Sequence, residues 1–497
     1  MSHAAVGWSK PASPDVRLSM STKILYGVGE ITNGIKIVTL GLYSVFFATS
    51  VLGLPGTWIG AVGFLAMLWD AFIDPFIGYL TDGRHAARRH ALMLTGALTM
   101  GLGYWAFFAP PTGLSNTLLF AWLLVASFVL RTATSMFSIP YYAEGAGLTR
   151  DYHERTSITA IRGLTAALGT LLTASLSFVL FFREKTPGVD PKLERSGYAQ
   201  MGIAFGLVMS TAALVSLWSM KRARQEATSA EVPTEDRPSA FITTIWSYLQ
   251  NRSCRTVLLA SSLVTIGLAI NSAVLLHYVK HYAKIEGSVA LTVSQASFFC
   301  AGIAGTIVWS RFARRFQKHR LFVFSTILTS LVIGSGYLLF GEGSLFGTGD
   351  ARPLFVGCGL AGFFNCILWF IPQSMLADVA DESELLTGKR REGALFGLNS
   401  LTQQTASGIA ILATGVLLDR YVGLIPGGGQ QSSTTAVRIA VVYSLVPAFL
   451  FLLAAALMRG YTLTGSRLQD IQAQLNGRGA SSGELSSSGD NNLYASN

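Results

Sequence analysis

The sequence predicts an all-α integral membrane protein with about twelve transmembrane helices. Three observations carry this. Hydrophobic residues make up 51% of the 497 residues and charged residues only 13%, where a soluble domain carries about 25% charged residues. Mean hydropathy is +0.45. The apolar residues fall in continuous runs of roughly 20 or more, long enough to cross a bilayer as helices, and not in the short alternating segments of a membrane barrel.

The runs cover 23–48, 56–81, 91–110, 117–145, 157–182, 198–220, 256–283, 290–310, 321–341, 353–376, 394–418 and 436–458. Basic residues crowd alternate intervals: Arg84, Arg88 and Arg89; Arg150 and Arg155; Lys221, Arg222 and Arg224; Arg311 to Arg320; Lys389 to Arg391. The other intervals hold few, mainly Arg183, Lys185, Lys192, Arg195 and Arg352. Basic loops stay in the cytoplasm, so both termini are expected there, in a multi-pass protein of the plasma (inner) membrane. The net charge of +10 is thus a topology signal and not a nucleic-acid footprint. The first twenty residues lack the apolar core of a signal peptide. Four cysteines, Cys254, Cys300, Cys358 and Cys366, match no disulfide or zinc spacing. No cofactor and no metal centre is expected, and the chain reads as a monomer.

The organisation expected is a cytoplasmic segment 1–22, a six-helix bundle 23–220, a cytoplasmic linker 221–250, a second bundle 251–458, and a mostly disordered tail 459–497. A weak internal repeat supports it. Ile139-Pro140 ends the fourth run of the first half, and Ile371-Pro372 sits in the fourth run of the second. Each is followed by a charged stretch, with Asp151, Glu154 and Arg155 in one and Asp378 to Glu392 in the other. Parallel six-span repeats are the mark of the major facilitator architecture, with the substrate site between the halves near mid-membrane.

The second run carries Asp70 and Asp74 one helical turn apart in an otherwise apolar segment. A carboxylate at mid-bilayer costs about 2.5–3.5 kcal/mol on insertion scales. A bound cation, a proton or a basic partner offsets such a cost. The pair therefore points to ion-coupled transport, with a structural ion pair as the plainer alternative. Arg131, Thr134, Ser135 and Ser138 of the fourth run fall at i, i+3, i+4 and i+7, on one helix face. The hydroxyls suit an oxygen shell for a small cation, and equally suit close helix packing. Lys36 and Arg131 are the bases within the first half's runs that can compensate the aspartates.

These residues resemble the glycoside–pentoside–hexuronide cation symporters, the melibiose-permease-like branch of the major facilitator superfamily. The pieces are Tyr26 to Glu30, the D-x-x-x-D-P-x-x-G at Asp70 to Gly78, Gly78 to Arg84, Ile139-Pro140-Tyr141 with Asp151 to Thr156, and Leu376-Ala377-Asp378 running to Gly393. The likeness spans nearly the whole chain and extends to lysophospholipid symporters. It implies that Asp70 and Asp74 bind the coupling cation, Na⁺ or H⁺. It aligns Arg162, Trp369 and Tyr142 with family substrate-site residues. It also shows departures: Ser138 replaces an acid of span four, Gly34 an acid of span one, and Gln404 a lysine of span eleven. An acid and its basic partner are missing together.

The reading is secondary active symport of a small solute, most readily a sugar or glycoside. The cation site comprises Asp70, Asp74, Thr134, Ser135 and Ser138, with sodium slightly favoured by the hydroxyl face. The substrate site comprises Gly34, Arg131, Tyr142, Arg162, Trp369, Asn399 and Gln404, with Asn271 and His277 as further cavity candidates. Asp82, Arg84, Asp151, Glu154, Arg155, Asp378, Glu384, Arg390, Arg391 and Glu392 are expected to tie cytoplasmic helix ends together and to gate. The alternatives are symport of a lysolipid-like amphiphile and a transporter-like receptor. An enzyme is not expected, because no H-E-x-x-H, P-loop or G-x-S-x-G sits in a supporting context.

Overall fold

The computed structural model describes residues 19–81, 86–147, 152–183, 190–226, 245–313, 315–387, 392–463, 465 and 467–474. Twelve helices in it are long and apolar enough to cross a bilayer. They are α1 (Met20–Val51), α2 (Gly56–Thr81), α3 (Arg89–Phe108), α4 (Asn116–Gly145), α5 (Ser157–Phe181) and α6 (Arg195–Met220), then α7 (Arg252–Tyr282), α8 (Ser288–Phe312), α9 (Lys318–Leu339), α10 (Arg352–Leu386), α11 (Gly393–Val422) and α12 (Ser433–Gly460). No strand occurs among the described residues. A chain this apolar leaves its backbone no other partner than its own helices.

The helices form two six-helix bundles. In the first, α3 packs along both α4 and α6; in the second, α7 packs along α11 and α12, and α8 along α10. The bundles meet where α2 lies against α11 and α5 against α8. One end of the first bundle is filled by buried rings. Phe47 packs on Phe108 and Tyr198, and Tyr43 on Phe178 and Phe182.

Helix starts follow local chemistry. The Asn251 side chain accepts from the Cys254 amide at 3.0 Å, and Ser432 accepts from the Thr435 amide at 3.1 Å, which satisfies donors that a helix start leaves free. Prolines lie inside α2, α4 and α10, at Pro75, Pro140 and Pro372. Each removes one helical hydrogen bond. In α2 that break adjoins Asp74.

The largest departure from the expected spans is α10. It runs to Leu386 and not to 376. The extension holds Ala377, Ala380, Glu382, Glu384 and Leu385, all good helix formers, so the acidic cluster rides on the helix and not on a loop. Of the expected linker, 227–244 lies outside the described residues.

Candidate functional site

Packing of α2 against α4 brings the expected cluster together. Arg131 pairs with Asp70 through Nη1 and Oδ2. Both side chains are buried, at 4% and 7% exposure. Ser135, one turn further along α4, donates to Asp74 Oδ1. The i, i+4 spacing on α2 thus meets the i, i+4 spacing on α4. A second contact holds this register: Trp69 Nε1 donates to Thr132 Oγ1 at 2.8 Å and its ring stacks on Phe128. Among the described residues Asp70 Oδ1 and Arg131 Nε have no hydrogen-bond partner. The Thr134 hydroxyl donates to the Arg131 carbonyl at 2.9 Å, which leaves its lone pairs and not its proton for any guest. Arg131, which the sequence offers both as a substrate contact and as the base compensating the aspartates, is the direct partner of Asp70. Lys36 lies within electrostatic reach of Asp70, Asp74 and Arg131. Two acids and two bases make this cluster neutral.

Beside it a small recess is lined by Asn33, Lys36, Thr134, Ser138 and Tyr142. Glu30 borders the recess and accepts from Arg162 Nε and Nη2 at 3.0 and 2.6 Å. The Arg162 guanidinium also lies 4.5 Å from the Tyr142 ring centre, within cation–π range. Arg162 and Tyr142 therefore form one unit with Glu30, a residue the site reasoning passed over. Its signal was an acid inside an apolar run, which calls for a basic partner without saying which one.

The other substrate candidates divide. Trp369 and Asn271 line a cavity of about 460 Å³ between the bundles. Asn399 is buried and Gln404 is half-buried on α11, and neither lines either cavity. The neighbour Gln403 donates to Ser261 at 2.8 Å and accepts from Thr265, tying α11 to α7. Gly34 is not a contact residue. A Cβ there would sit 2.4 Å from the Ala166 carbonyl oxygen and 2.7 Å from the Thr170 nitrogen. It is glycine because α1 and α5 touch backbone to backbone. His277 is fully buried against Thr49 at 3.1 Å.

The charged networks beside the basic loops join helices within each bundle. Lys23 pairs with Glu154 at 2.7 Å. Lys318 pairs with Asp378 at 2.7 Å. Glu382 accepts from Arg467 at 2.8 Å and from Asn251 at 2.7 Å. Glu384 is half-buried at the end of α10. Asp82, Arg84, Asp151, Arg390 and Arg391, and the side chains of Arg155 and Glu392, lie outside the described residues.

Comparison with known proteins places this architecture. A family model described as MFS/sugar transport protein matches residues 25–465. The chain belongs to that family. Its relatives include the inner membrane symporter YicJ of Escherichia coli strain K12, 26% identical over 92% of this chain and 95% of the relative. The putative glycoside/cation symporter YagG of the same strain is 24% identical over 94% of this chain and 97% of the relative. The fold matches the crystal structure of a D-xylose-proton symporter with TM-score 0.63, at 12% identity, covering 89% of this chain and 99% of that one. This member of the MFS family is a multi-pass membrane protein and a secondary transporter, not an enzyme.

The transporter's two bundles are locked together at one end. Asp419 of α11 accepts from the backbone amides of Gly56 and Thr57 at 2.7 Å each, and from the Thr57 hydroxyl at 2.6 Å. A carboxylate thus caps the start of α2 from the opposite bundle, where the helix dipole favours it. Thr292 of α8 donates to the Ser175 carbonyl of α5 at 2.9 Å, and Lys280 reaches Asp190 at 4.0 Å. These contacts lie at the end away from the basic loops. Charge-assisted hydrogen bonds contribute about 1.5–3 kcal/mol each. Asp419→Ala is therefore expected to shift the molecule toward opening at that end. In a cysteine-free background, a thiol placed at Ser272 should then react faster with a membrane-impermeant reagent added from that side. An unchanged rate would show that the cap does not hold the end shut.

Proposed function

We propose that the protein is a cation-coupled symporter of a sugar or glycoside, working by alternating access between the two bundles. The observation that carries this reading is the neutral Asp70–Asp74–Arg131–Lys36 cluster inside the membrane, with one carboxylate already held by arginine. Asp70 is engaged by Arg131; among the described residues Asp74 has the Ser135 hydroxyl as its hydrogen-bond donor, with Lys36 only within electrostatic reach. Asp74 is then the group whose charge a cation removes on loading. The names of the glycoside/cation and D-xylose-proton relatives favour the same class of substrate and coupling.

For the ion, the arrangement supports H⁺ over the Na⁺ that the hydroxyl face suggests. Sodium requires several oxygens around it, and Arg131 already engages Asp70 Oδ2. A proton requires Asp74 alone. Loading neutralises Asp74, weakens its hold on Lys36 and Ser135, and so changes which access state the α2–α4 contact favours. The basic loops support cytoplasmic termini, and with that topology the locked end is extracellular.

The test is uptake of radiolabelled glycosides into proteoliposomes. An inward proton gradient without sodium should drive accumulation, and an inward sodium gradient at equal pH should not. Accumulation on sodium alone would reverse the choice of ion. Accumulation with neither gradient would refute coupling.

A further inference from the structure

The locked end holds two histidines to which the transport reading gives no role. His277 and His281 lie one helical turn apart on α7, with ring centres 6.3 Å apart. His277 is 0% exposed, and its ring packs on Phe46 of α1 at 4.9 Å between centres. Its Nε2 meets the Thr49 hydroxyl of α1 at 3.1 Å, so this contact joins one bundle to the other. Thr49 gives its own proton to the Val45 carbonyl at 2.8 Å. The hydroxyl oxygen must therefore accept, and His277 carries its proton on Nε2 with a bare lone pair on Nδ1. Among the described residues neither His277 Nδ1 nor His281 Nε2 has a hydrogen-bond partner.

Among the described residues the charges facing the pair come from two elements. α7 itself supplies Lys280, and the stretch between α5 and α6 supplies Asp190 and Lys192. Asp190 lies 3.7 Å from the Lys192 ammonium and 4.0 Å from that of Lys280. From α1 the His277 ring meets Phe46 and Thr49, which carry no charge. The loop between α11 and α12 contributes backbone: the Gly428 carbonyl accepts from Lys280 at 3.5 Å, and the Gly427 amide donates to the Thr49 carbonyl at 2.8 Å. Two cations and one anion already leave a positive excess before either imidazole takes a proton. A proton on His281 adds to that excess. A proton on His277 creates a buried charge whose Nδ1–H faces no acceptor, a costly state. Parting of the bundles breaks the His277–Thr49 and Lys280–Asp190 contacts and gives both rings to water. There an imidazole titrates near its ordinary value of about 6.5.

We propose that His277 and His281 form a second proton site, separate from Asp74, which senses pH at the locked end and opens that end in acid. The closed form binds fewer protons than the open form. Its stability is therefore present above about pH 6.5 and is lost as pH falls below it. Acid shifts the population toward the open form. A transporter so built exposes its interior to the side of the locked end when protons are abundant there. The assignment rests on the alternating access of the transport reading and not on its coupling ion.

The experiment uses the full-length, cysteine-free protein in lipid nanodiscs, with spin labels on Thr112→Cys and Thr348→Cys. Both positions are exposed, one on each bundle at the locked end. Pulsed electron resonance reads the distance between them at about pH 7.5 and about pH 5.5, on either side of the imidazole range. A short distance should dominate at the higher pH. At the lower pH a longer one should grow, and the ratio of long to short should rise by about tenfold or more. Tenfold is the change expected for one group that titrates near 6.5 in the open form and stays neutral in the closed form. The double variant His277→Gln, His281→Gln keeps a donor for Thr49 and should lose the response. His281 is half-buried, so His281→Gln alone leaves the Thr49 contact in place. It should blunt the response, and it keeps the test decisive if the double variant fails to fold. Asp74→Asn should respond like the parent. The assignment is overturned by a distance that stays short at both pH values or by a response undiminished in the histidine variants. Loss of the response in Asp74→Asn also overturns it, because the sensor would then be the coupling site. Proteoliposome uptake separates this from the broader reading. Opening in acid without gradient-driven uptake refutes the symport. Gradient-driven uptake by a protein whose locked end ignores pH refutes the second proton site alone.

Discussion

Asp74→Asn is expected to abolish uphill accumulation while the protein still inserts, folds and exchanges substrate down its gradient. The amide keeps the size of the side chain and can still pair with Ser135, but it can carry neither charge nor a transported proton. Removing a charge from mid-bilayer relieves about 2.5–3.5 kcal/mol of insertion cost, so loss of folding is not the expected cause of any defect. The measurements are gradient-driven uptake and substrate counterflow in the same proteoliposomes. Loss of the first with retention of the second is the signature of uncoupling. Undiminished accumulation in Asp74→Asn would remove Asp74 from the mechanism.

Arg131→Gln is expected to act on stability first. It leaves Asp70, 7% exposed, as a charge without its direct partner. Breaking a buried pair from one side costs about 3–5 kcal/mol, enough to lower thermal stability and yield sharply. The double variant Arg131→Gln, Asp70→Asn removes the orphaned charge and should recover most of that loss, because the penalty comes from the unpaired carboxylate and not from the missing guanidinium. Rescue of Arg131→Gln by Gln404→Lys would show that a lysine on α11 reaches Asp70; no rescue would leave the compensation to the first bundle. Fluorescence-detected thermal melts of the four proteins decide this. A single Arg131→Gln variant as stable as the parent would mean that Lys36 carries the compensation.

Much of this arrangement was legible from the chain, and the boundary has a physical origin. Features set by spacing along one helix could be read. Asp70 with Asp74, and Arg131 with Ser135, each share a face because of helical periodicity, and two such faces need only one contact to assemble. The six-plus-six organisation was readable from the matching Ile-Pro elements at Pro140 and Pro372. What could not be read depends on which helices touch. Glu30 meets Arg162 at a sequence separation of 132, and Asp419 caps Gly56 at 363. Gly34 looked like a vacated acidic site; the contact with Ala166 and Thr170 shows that no side chain fits there. Lys318 and Asp378 are a partnership of two helices that local pattern treats as separate loop charges. The cavity walls combine seven helices, and no run of sequence announces such a surface.

The seam between α2 and α11 bears on how fast the transporter can turn over. A Cβ on Gly415 would stand 2.1 Å from the Gly56 carbonyl oxygen, and one on Gly60 only 3.1 Å from the backbone of Ile411 and Leu412. The two bundles meet main chain to main chain at Gly56 and Gly415, and further along single side chains rest on glycine, Ile411 over Gly63 and Met67 over Gly408. Large interlocking residues would have to change rotamer before the surfaces could part, and each such change adds a barrier. A glycine-faced seam separates like two smooth plates, held by the Asp419 latch at its rim and by little along its length. Speed of switching is then a property of the seam and its direction a property of the latch, so the two can be tuned by separate substitutions.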